Sequence, residues 1–505
     1  MKGYAACGWA CILLAGCGRG HGAPAQGDAG GEVTAASAAP AAPGNLTRAQ
    51  LLDPETCKGC HPAHYREWSS SMHAYAARDP VFLAMNRRGQ RETGGKLGDF
   101  CIKCHAPMAV VDKSTRDGLD LDRLPDKDRG VSCYFCHNTI GVEGDHNAMV
   151  RLANDTTMRG PIRDPLPPRV HQAASSDTFD PSSPDSTAMC GGCHDIVMQN
   201  GVHLERTLEE YRGGIFSKSA TGAPPAFDSC VGCHMPPRQG FAAIAPGVGQ
   251  RAVHEHLWPG VDVALTPFPH RDAMRSAVEE CQLELAAVSY FTLEVTPPDL
   301  FSFQIETLAG HNEPSGAAQD RRMWLEFMAY DKNGRLLEPV SSGNVADGEI
   351  EERPEGDPRR DPHLLMLRDR IYDAQARPVH MFWEAAPSPA HPDGYESNVV
   401  PVAKTSYIDG THVVLKQYRA SGPAGLPARV TARLRVRPIG LDVLKDLVDS
   451  GDLDPAIVAQ MPTLTFGAQI EWTPESGLMK TIASTRKADC TKYRCLLDPG
   501  SEGCK

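Results

Sequence analysis

The sequence repeats one pattern, Cys-x-x-Cys-His, five times, and this repeat restricts the possible folds more than any other feature. The copies, called motifs 1 to 5 below, are Cys57–His61, Cys101–His105, Cys133–His137, Cys190–His194 and Cys230–His234. This spacing is typical of covalent c-type haem attachment, in which two thiols bond to the porphyrin and the histidine binds its iron. Zinc sites also use Cys-x-x-Cys pairs, but zinc does not require a histidine directly after each second cysteine. We therefore expect five covalently bound c-type haems.

Each motif predicts three site residues. The expected haem-attaching cysteines are Cys57, Cys60, Cys101, Cys104, Cys133, Cys136, Cys190, Cys193, Cys230 and Cys233. The expected proximal iron ligands are His61, His105, His137, His194 and His234. Only about 36 residues are available for each haem, too few to enclose five separate groups. We expect the porphyrins to pack against one another inside short helices and loops, with residues 65–85 the most helix-like stretch.

The second half of the chain has a different pattern. Phe301, Phe303 and Ile305 alternate with polar residues, and similar alternation follows in residues 430–437 and 464–472. Period-two alternation predicts half-buried antiparallel strands, and several such runs favour a β-sandwich. Residues 441–448 are predicted as one amphipathic helix. The expected fold class is α+β multidomain: a mostly α-helical or irregular multihaem cytochrome c domain, then an antiparallel β-sandwich domain.

Domain boundaries follow from these changes in composition. The expected segments are a lipoprotein signal peptide at 1–16, a flexible Ala/Gly/Pro tether at 17–47, a pentahaem domain at 48–280, a β-sandwich at 281–480 and a cysteine-containing tail at 481–505. Leu-Ala-Gly-Cys17 looks like a bacterial lipobox, which would make Cys17 a lipidation site. The alternative is an ordinary signal peptide that is cut nearby. We expect an extracytoplasmic protein, in the periplasm or at the cell surface, lipid-anchored to a bacterial membrane, with the outer membrane favoured.

Charge and the remaining cysteines restrict the partners and the crosslinks. A net charge of −12 without a basic run argues against nucleic acid and favours redox partners with a basic docking face. The cysteines left over are Cys281, Cys490, Cys495 and Cys504. In an oxidising compartment they predict two disulfides, with three possible pairings. The alternative is that one or more are free buried thiols.

Several local motifs resemble the tetrahaem cytochrome c-554 family. The matching elements are motif 1 with Trp68 and Ser71–Ala74, Gly130–His137, Gly144–His146 and His254–His256. They span most of residues 55–260, about 40% of the chain. The resemblance implies a carrier of electrons, because members of that family take electrons from hydroxylamine oxidation. Motifs 2 and 4 correspond to the family's second and fourth haems.

The same resemblance implies second, distal ligands for the irons. Carried over by position, His146 would serve the first haem, His73 the third and His256 the haem of motif 4, while the second haem would have no distal protein ligand. Motif 5 departs from the tetrahaem pattern and precedes His254, so His256 could serve motif 5 instead, and His254 could exchange roles with it. This leaves His171 and His203 as possible ligands for the second and fifth haems, with Met108 as a weaker thioether candidate.

A loop in the second half supplies one more candidate. Gly310–Gly316 resembles a Gly-His-x-x-Pro-x-Gly segment in the C-terminal domains of other exported multihaem cytochromes, where the histidine can reach a haem. The resemblance implies that His311 caps the fifth haem and ties the two domains together. The alternative is a loop histidine bonded to its own turn.

Three functions remain open, and electron transfer is the leading one. Closely packed haems with two histidine ligands exchange single electrons with little rearrangement, and no catalytic residue is assigned. The rival is an oxidoreductase that acts on a small nitrogen or sulfur compound at an open haem, for which the His105 haem is the candidate. The Cys-x-x-Cys-Lys variant of pentahaem nitrite reductases is absent from the sequence, which counts against that activity. A third possibility is a subunit of a larger electron conduit or oligomer.

Overall fold

The computed structural model describes most of the chain after residue 44. The described residues are 45–166, 170–217, 229–275, 278–279, 289–296, 299–307, 309–338, 340–344, 350, 357–404, 412–420, 425–476 and 480–482. Cys17 and the four leftover cysteines therefore lie outside the described residues, as does the predicted tail after residue 482. Within these ranges no helix has the length and apolar character needed to cross a bilayer.

The first half consists of short helices joined by loops. They are α1 Arg48–Leu51, α2 Pro54–Lys58, α3 Pro62–Ser70, α4 Met72–Tyr75, α5 Pro80–Glu92, α6 Ile102–His105, α7 Pro107–Val111, α8 Cys133–His137, α9 Pro184–Gly191, α10 Thr207–Gly213 and α11 Cys230–His234. Proline is the first residue of five of them, because its fixed φ suits that position and the first turn needs no N–H partner. Ser132 and Ser229 cap α8 and α11 by accepting hydrogen bonds from backbone N–H groups.

The helix-like stretch of residues 65–85 is divided among three helices. Ser71 is extended, with φ −80° and ψ 160°, so α3 ends there. Its hydroxyl accepts a hydrogen bond from the N–H of Ala74 and so begins α4. Asp79 and Pro80 then start α5. Apolar spacing alone indicates helix here, but the caps decide where each helix ends.

The described strands form two larger sheets and four pairs. The strands are β1 Thr139–Val142, β2 Val150–Leu152, β3 Thr157–Gly160, β4 Gln172–Ser175, β5 Ile196–Val197, β6 His203–Glu205, β7 Pro237–Phe241, β8 Gln250–His254, β9 Ser289–Thr296, β10 Leu300–Thr307, β11 Arg322–Tyr330, β12 Met366–Tyr372, β13 Pro378–Val379, β14 Tyr395–Asn398, β15 Val413–Arg419, β16 Arg429–Arg437, β17 Leu464–Trp472 and β18 Lys480–Ile482. One larger sheet has the order β15-β10-β9, and the other has β13-β12-β11-β16-β17-β18 with β14 beside β12. Both are antiparallel, as predicted.

The two larger sheets pack face to face through aromatic side chains. Phe327 of β11 stacks on Tyr418 of β15 with ring centres 4.3 Å apart, and Phe301 of β10 meets Trp472 of β17 at 5.0 Å. Each buried aromatic of this kind contributes about 1.5–3 kcal/mol relative to an exposed one. The predicted α+β fold with a sheet-rich second half is confirmed. The predicted helix at 441–448 is also present, as α12 Leu441–Asp449, and α13 Pro455–Val458 follows it.

The helical half and the sheet-rich half share one core. Val81 and Ala84 of α5 are buried among side chains of the two larger sheets. A buried ion pair also joins the halves, with Arg206 Nη2 2.6 Å from Asp369 Oδ2. The described residues from 45 onward accordingly form one compact unit.

Candidate haem-binding site

One continuous cavity of about 1810 Å³ runs through the helical half, and all fifteen cysteines and histidines of motifs 1 to 5 line it. Pockets for single small molecules are typically about 300–1000 Å³. The cavity therefore has room for more than one large flat group. This agrees with the expectation that the haems share one interior.

Thiols from different motifs lie close together inside this cavity. Each thiol shifts the pKa of its neighbour in three pairs: Cys57 with Cys133, Cys104 with Cys193, and Cys190 with Cys230. All ten are free thiols, so the contacts are not disulfides. Motif 1 is thus adjacent to motif 3, and motif 4 is adjacent to both motif 2 and motif 5.

Backbone carbonyls hold most of the proximal histidines. Three of them donate the Nδ1–H to a carbonyl oxygen: His61 to Ala242 at 2.7 Å, His105 to Ala76 at 3.1 Å, and His137 to Arg159. His234 is hydrogen-bonded to the backbone of Pro259. A hydrogen bond at Nδ1 leaves the lone pair on Nε2, the nitrogen that then binds metal. This arrangement fits iron ligation from the cavity side.

A second histidine faces four of the five proximal histidines. With histidine nitrogens about 2 Å from a metal and each ring adding roughly 1 Å, two rings on opposite faces of one iron have centres roughly 6 Å apart. The observed ring-centre distances are 6.2 Å for His61–His171, 6.2 Å for His194–His73, 6.1 Å for His137–His256 and 6.4 Å for His234–His311. All four pairs match the distance that one iron between them requires.

Three of these facing histidines have the same hydrogen bond as the proximal ones. The Nδ1–H groups of His171, His256 and His311 donate to the carbonyl oxygens of Gln172, His254 and Asn312, at 2.8, 2.9 and 2.8 Å. Their Nε2 atoms are left available for a metal. His311 comes from the sheet-rich half, so that half supplies a ring to the cavity.

His146 and His203, two histidines that sequence reasoning singled out, are not among the residues that line the cavity. His146 donates its Nδ1–H to Asp145 at 2.8 Å. The Nε2 of His203 is bonded to Asp195, and its Nδ1 lies 3.2 Å from Glu209. With carboxylates on both ring nitrogens, His203 has no nitrogen directed at an iron.

The other candidates lie in varied surroundings. His254 lines the cavity and donates its Nδ1–H to the carbonyl oxygen of Met235 at 2.6 Å. Met108 is buried in an apolar cluster with Tyr134 and Phe135, and it does not line the cavity. The resemblance assigned His73 to the third haem and His256 to the fourth. In the structure His73 faces motif 4 and His256 faces motif 3.

The proximal histidine of motif 2 has different surroundings. Its ring, His105, stacks on Phe82 at 4.0 Å with 5° between the planes. Among the described residues, no histidine ring faces His105 at the distance seen in the other four motifs.

Burial favours the neutral form of two of the cavity histidines, His73 and His234. Desolvation lowers the pKa of His73 to about 3 and that of His234 to about 4, because a charged ring is poorly stabilised inside the protein. Neutral imidazole is the form that binds iron.

His64 is a cavity histidine that sequence reasoning missed. Burial lowers its pKa to about 3, and its ring meets that of His256 edge to face at 4.9 Å. It is also 6.4 Å from His61, but it follows His61 by three residues along α3 and so lies on the same side of it. His64 could have been predicted from the sequence, because it follows His61 of motif 1 by three residues, about one helical turn.

Comparisons with known proteins place part of the chain in a family and match its fold. The family model described as "Cytochrome c554 and c-prime" matches residues 56–138, which contain motifs 1, 2 and 3. No curated protein matches the chain. The motifs and this match define the class of the protein: it is a multihaem c-type cytochrome, and its site residues fit covalent haem.

A solved structure has a similar fold. The penta-heme cytochrome c552 from Thermochromatium tepidum aligns with a TM-score of 0.55 at 20% sequence identity, over 85% of this chain and 100% of that one. At this identity the likeness concerns the fold. It extends well beyond residues 56–138 and therefore takes in both halves of the chain.

Proposed function

We propose that this chain is an exported pentahaem c-type cytochrome that transfers single electrons between redox partners. The observation that carries the proposal is that the cysteines and histidines of all five motifs line one cavity, with thiols of different motifs close together. Bound haem supplies reversible one-electron chemistry at iron. The residues of the chain would hold these groups as neighbours at the three junctions where thiols of two motifs lie close together.

The attachment sites would follow a branched order. Thiol contacts link motif 1 to motif 3, and link motif 4 to both motif 2 and motif 5. Cys193 of motif 4 also contributes to the raised pKa of Cys136 of motif 3, after burial, so we take motifs 3 and 4 as neighbours. Motif 4 is then the junction, and motifs 1, 2 and 5 are the three ends. Cys233 of motif 5 is exposed, which suits an end where electrons are exchanged.

The distal ligands we propose are the four histidines that face a proximal one: His171 for motif 1, His256 for motif 3, His73 for motif 4 and His311 for motif 5. Each has a ring-centre distance that matches one iron between two imidazoles. His311 would make the sheet-rich half, predicted as residues 281–480, part of the haem site of the region 48–280. Correct packing of the two halves would then depend on haem attachment.

A second candidate function is supported at motif 2. Phe82, and not a histidine, is the ring that contacts His105. An iron held by His105 alone could bind a small nitrogen or sulfur compound, as an oxidoreductase requires. A histidine from a second copy would instead complete this site in an oligomer or a larger conduit.

We also propose the location and the kind of partner. A lipid on Cys17 would tether the protein to a bacterial membrane, in the periplasm or at the cell surface, and the net charge of −12 favours a partner with a basic docking face. Reduction by a basic redox protein should slow as salt is added, whereas reduction by a neutral dye should not. Equal salt responses would contradict electrostatic docking.

Haem counting and spin counting test the proposal together. The purified protein should gain the mass of five haems, and a smaller gain or bound zinc would refute the count. Electron paramagnetic resonance of the ferric protein should show four low-spin irons and one high-spin iron. Five low-spin irons unaffected by cyanide would exclude the oxidoreductase. Low-spin character at motif 2 that disappears on dilution would indicate a ligand from a second copy.

A further inference from the structure

We propose that Phe82 is a positioning residue for His105, and that the sheet-rich half of the protein fixes Phe82 through helix α5. This rests on the proposed function, in which motif 2 holds a haem that has no second histidine from the residues that the structure describes. The sheet-rich half would then influence ligand binding at motif 2 without touching the iron.

Two contacts define the orientation of the His105 ring. Its Nδ1–H donates to the carbonyl oxygen of Ala76 at 3.1 Å, and its face lies parallel to Phe82 at 4.0 Å. A ring stacked at this distance cannot turn about its own axis without a clash, because 4.0 Å is already close to van der Waals contact. Phe82 therefore limits the rotation that the carbonyl hydrogen bond alone would allow.

Helix α5 carries Phe82 between two apolar cores. Phe82 and Leu83 pack on the small cluster around motif 2, which includes Ile102. Val81 and Ala84, on another face of the same helix, are buried in the large core of the two sheets. A shift of the helix relative to the sheets would therefore move Phe82 relative to His105.

Ion pairs fasten the far end of α5 to the sheet-rich half. Arg91 donates two hydrogen bonds of 2.6 Å to the two carboxylate oxygens of Asp452. Arg88 Nη1 lies 2.9 Å from Asp446 Oδ1 in α12. Bidentate arginine–carboxylate pairs are directional as well as strong, so they fix the position of the helix and not only its proximity.

Trp383 adds a packing contact to these ion pairs. Its indole N–H donates to Glu92 at 2.9 Å. A Cβ on Gly89 would lie only 3.1 Å from its ring, so helix and indole are in close contact there. Phe82 and Arg91 are nine residues apart, about 14 Å along one continuous helix. A helix of this length transmits a displacement as a nearly rigid rod.

The same loop of the sheet-rich half reaches the wall of the haem cavity. Phe382 lines the cavity and stacks on Phe100 with ring centres 6.4 Å apart. Phe100 directly precedes the first cysteine of motif 2. Motif 2 is thus bounded on two sides by elements that depend on the sheet-rich half.

Variants of the holoprotein test the proposal by cyanide titration and electron paramagnetic resonance. Phe82→Leu should change cyanide affinity at the high-spin iron by about fivefold or more and alter the shape of its signal, while Phe82→Tyr should stay near wild type. Asp452→Asn should change both in the same direction, and Arg88→Gln removes the second ion pair independently. The control is Asp449→Asn, which removes an exposed ion pair with Lys445 in α12 and should change neither.

The results distinguish a failure of the open haem site at motif 2 from a failure of the positioning role of Phe82. A wild-type protein without a high-spin iron would refute the open site of the proposed function. A high-spin iron whose signal and cyanide affinity in Phe82→Leu, Asp452→Asn and Arg88→Gln match those of Asp449→Asn would overturn the positioning role alone. Haem content and melting temperature identify any variant that fails to fold, and the remaining variants then decide. The low-spin signals of the other four irons should stay unchanged in every folded variant.

Discussion

Replacing His171 with alanine removes the ring that faces His61 at 6.2 Å across the cavity. If His171 is the distal ligand of motif 1, the iron there loses its sixth ligand and becomes high-spin. His146 is the matched control, because the cytochrome c-554 resemblance assigns it to the same haem. In the structure it is bonded to Asp145 and is not among the residues lining the cavity. The two alanine variants therefore separate the geometric assignment from the one carried over by position.

The size of the effect follows from the number of facing pairs. Four proximal histidines have a facing histidine and one has Phe82, so the wild type should contain four low-spin irons and one high-spin iron. His171→Ala should double the high-spin intensity and remove a quarter of the low-spin intensity. His146→Ala should change neither. Electron paramagnetic resonance of the ferric proteins, with intensities divided by measured haem content, gives these ratios directly.

A specific result would refute this reasoning. If His171→Ala keeps four low-spin irons at full haem content, the 6.2 Å distance does not indicate ligation. If His146→Ala loses low-spin intensity instead, the assignment by resemblance is correct and that histidine must reach the cavity. Loss of intensity in both variants would mean that the loops around motif 1 exchange ligands.

Three further predictions concern stability and backbone fit. Asp369→Ala leaves its buried arginine partner unpaired and should lower the free energy of unfolding by about 3–5 kcal/mol in urea titrations; an unchanged midpoint contradicts this. Gly130, beside the segment of His73, has φ +85°, and a Cβ there would lie 2.7 Å from a backbone carbonyl oxygen. Gly201 has a similar φ of +88°, but nothing lies within 4 Å of its Cβ position. Gly130→Ala should therefore lower the melting temperature more than Gly201→Ala. Equal melting temperatures in the two variants would show that backbone strain from the positive φ accounts for the whole effect and that steric crowding adds nothing. The carboxylates of Asp442 and Asp446, at 3.6 and 3.2 Å from the ring nitrogens of His380, raise the pKa of that histidine. The stabilisation from His380 is therefore complete below the unfolded pKa of about 6.5 and is lost as pH rises through the folded value. His380→Gln should flatten that pH dependence of stability.

Local spacing predicts what lies within one turn or one strand. Two thiols three residues apart and the histidine after them fall in the same helical turn. Motifs 1 to 5 can therefore be recognised from the sequence without knowledge of the fold. The alternation of Phe301, Phe303 and Ile305 likewise describes the buried face of β10. In both cases the residues that act together are neighbours in sequence, and the physical signal is local.

The partners across the cavity are set by tertiary packing, which spacing does not encode. His171 and His203 were equivalent as isolated histidines in the sequence. The difference between them is that carboxylates contact both ring nitrogens of His203, while His171 keeps one nitrogen free. Phe82 had no signal either, since an apolar residue on a helix is ordinarily just a core residue. Its contact with His105 exists only because Asp79 and Pro80 start α5 at that point.

The contacts between thiols of different motifs also have a consequence for biosynthesis. Before the cofactor is attached, Cys57 and Cys133 would lie together in an oxidising compartment if the chain is exported as proposed. Oxidation of that pair would form a crosslink that blocks two motifs at once. During maturation, haem attachment would therefore compete with disulfide formation between motifs. The same competition would arise at Cys104 with Cys193 and at Cys190 with Cys230. The close spacing that suits the finished protein makes its unfinished form dependent on reductant.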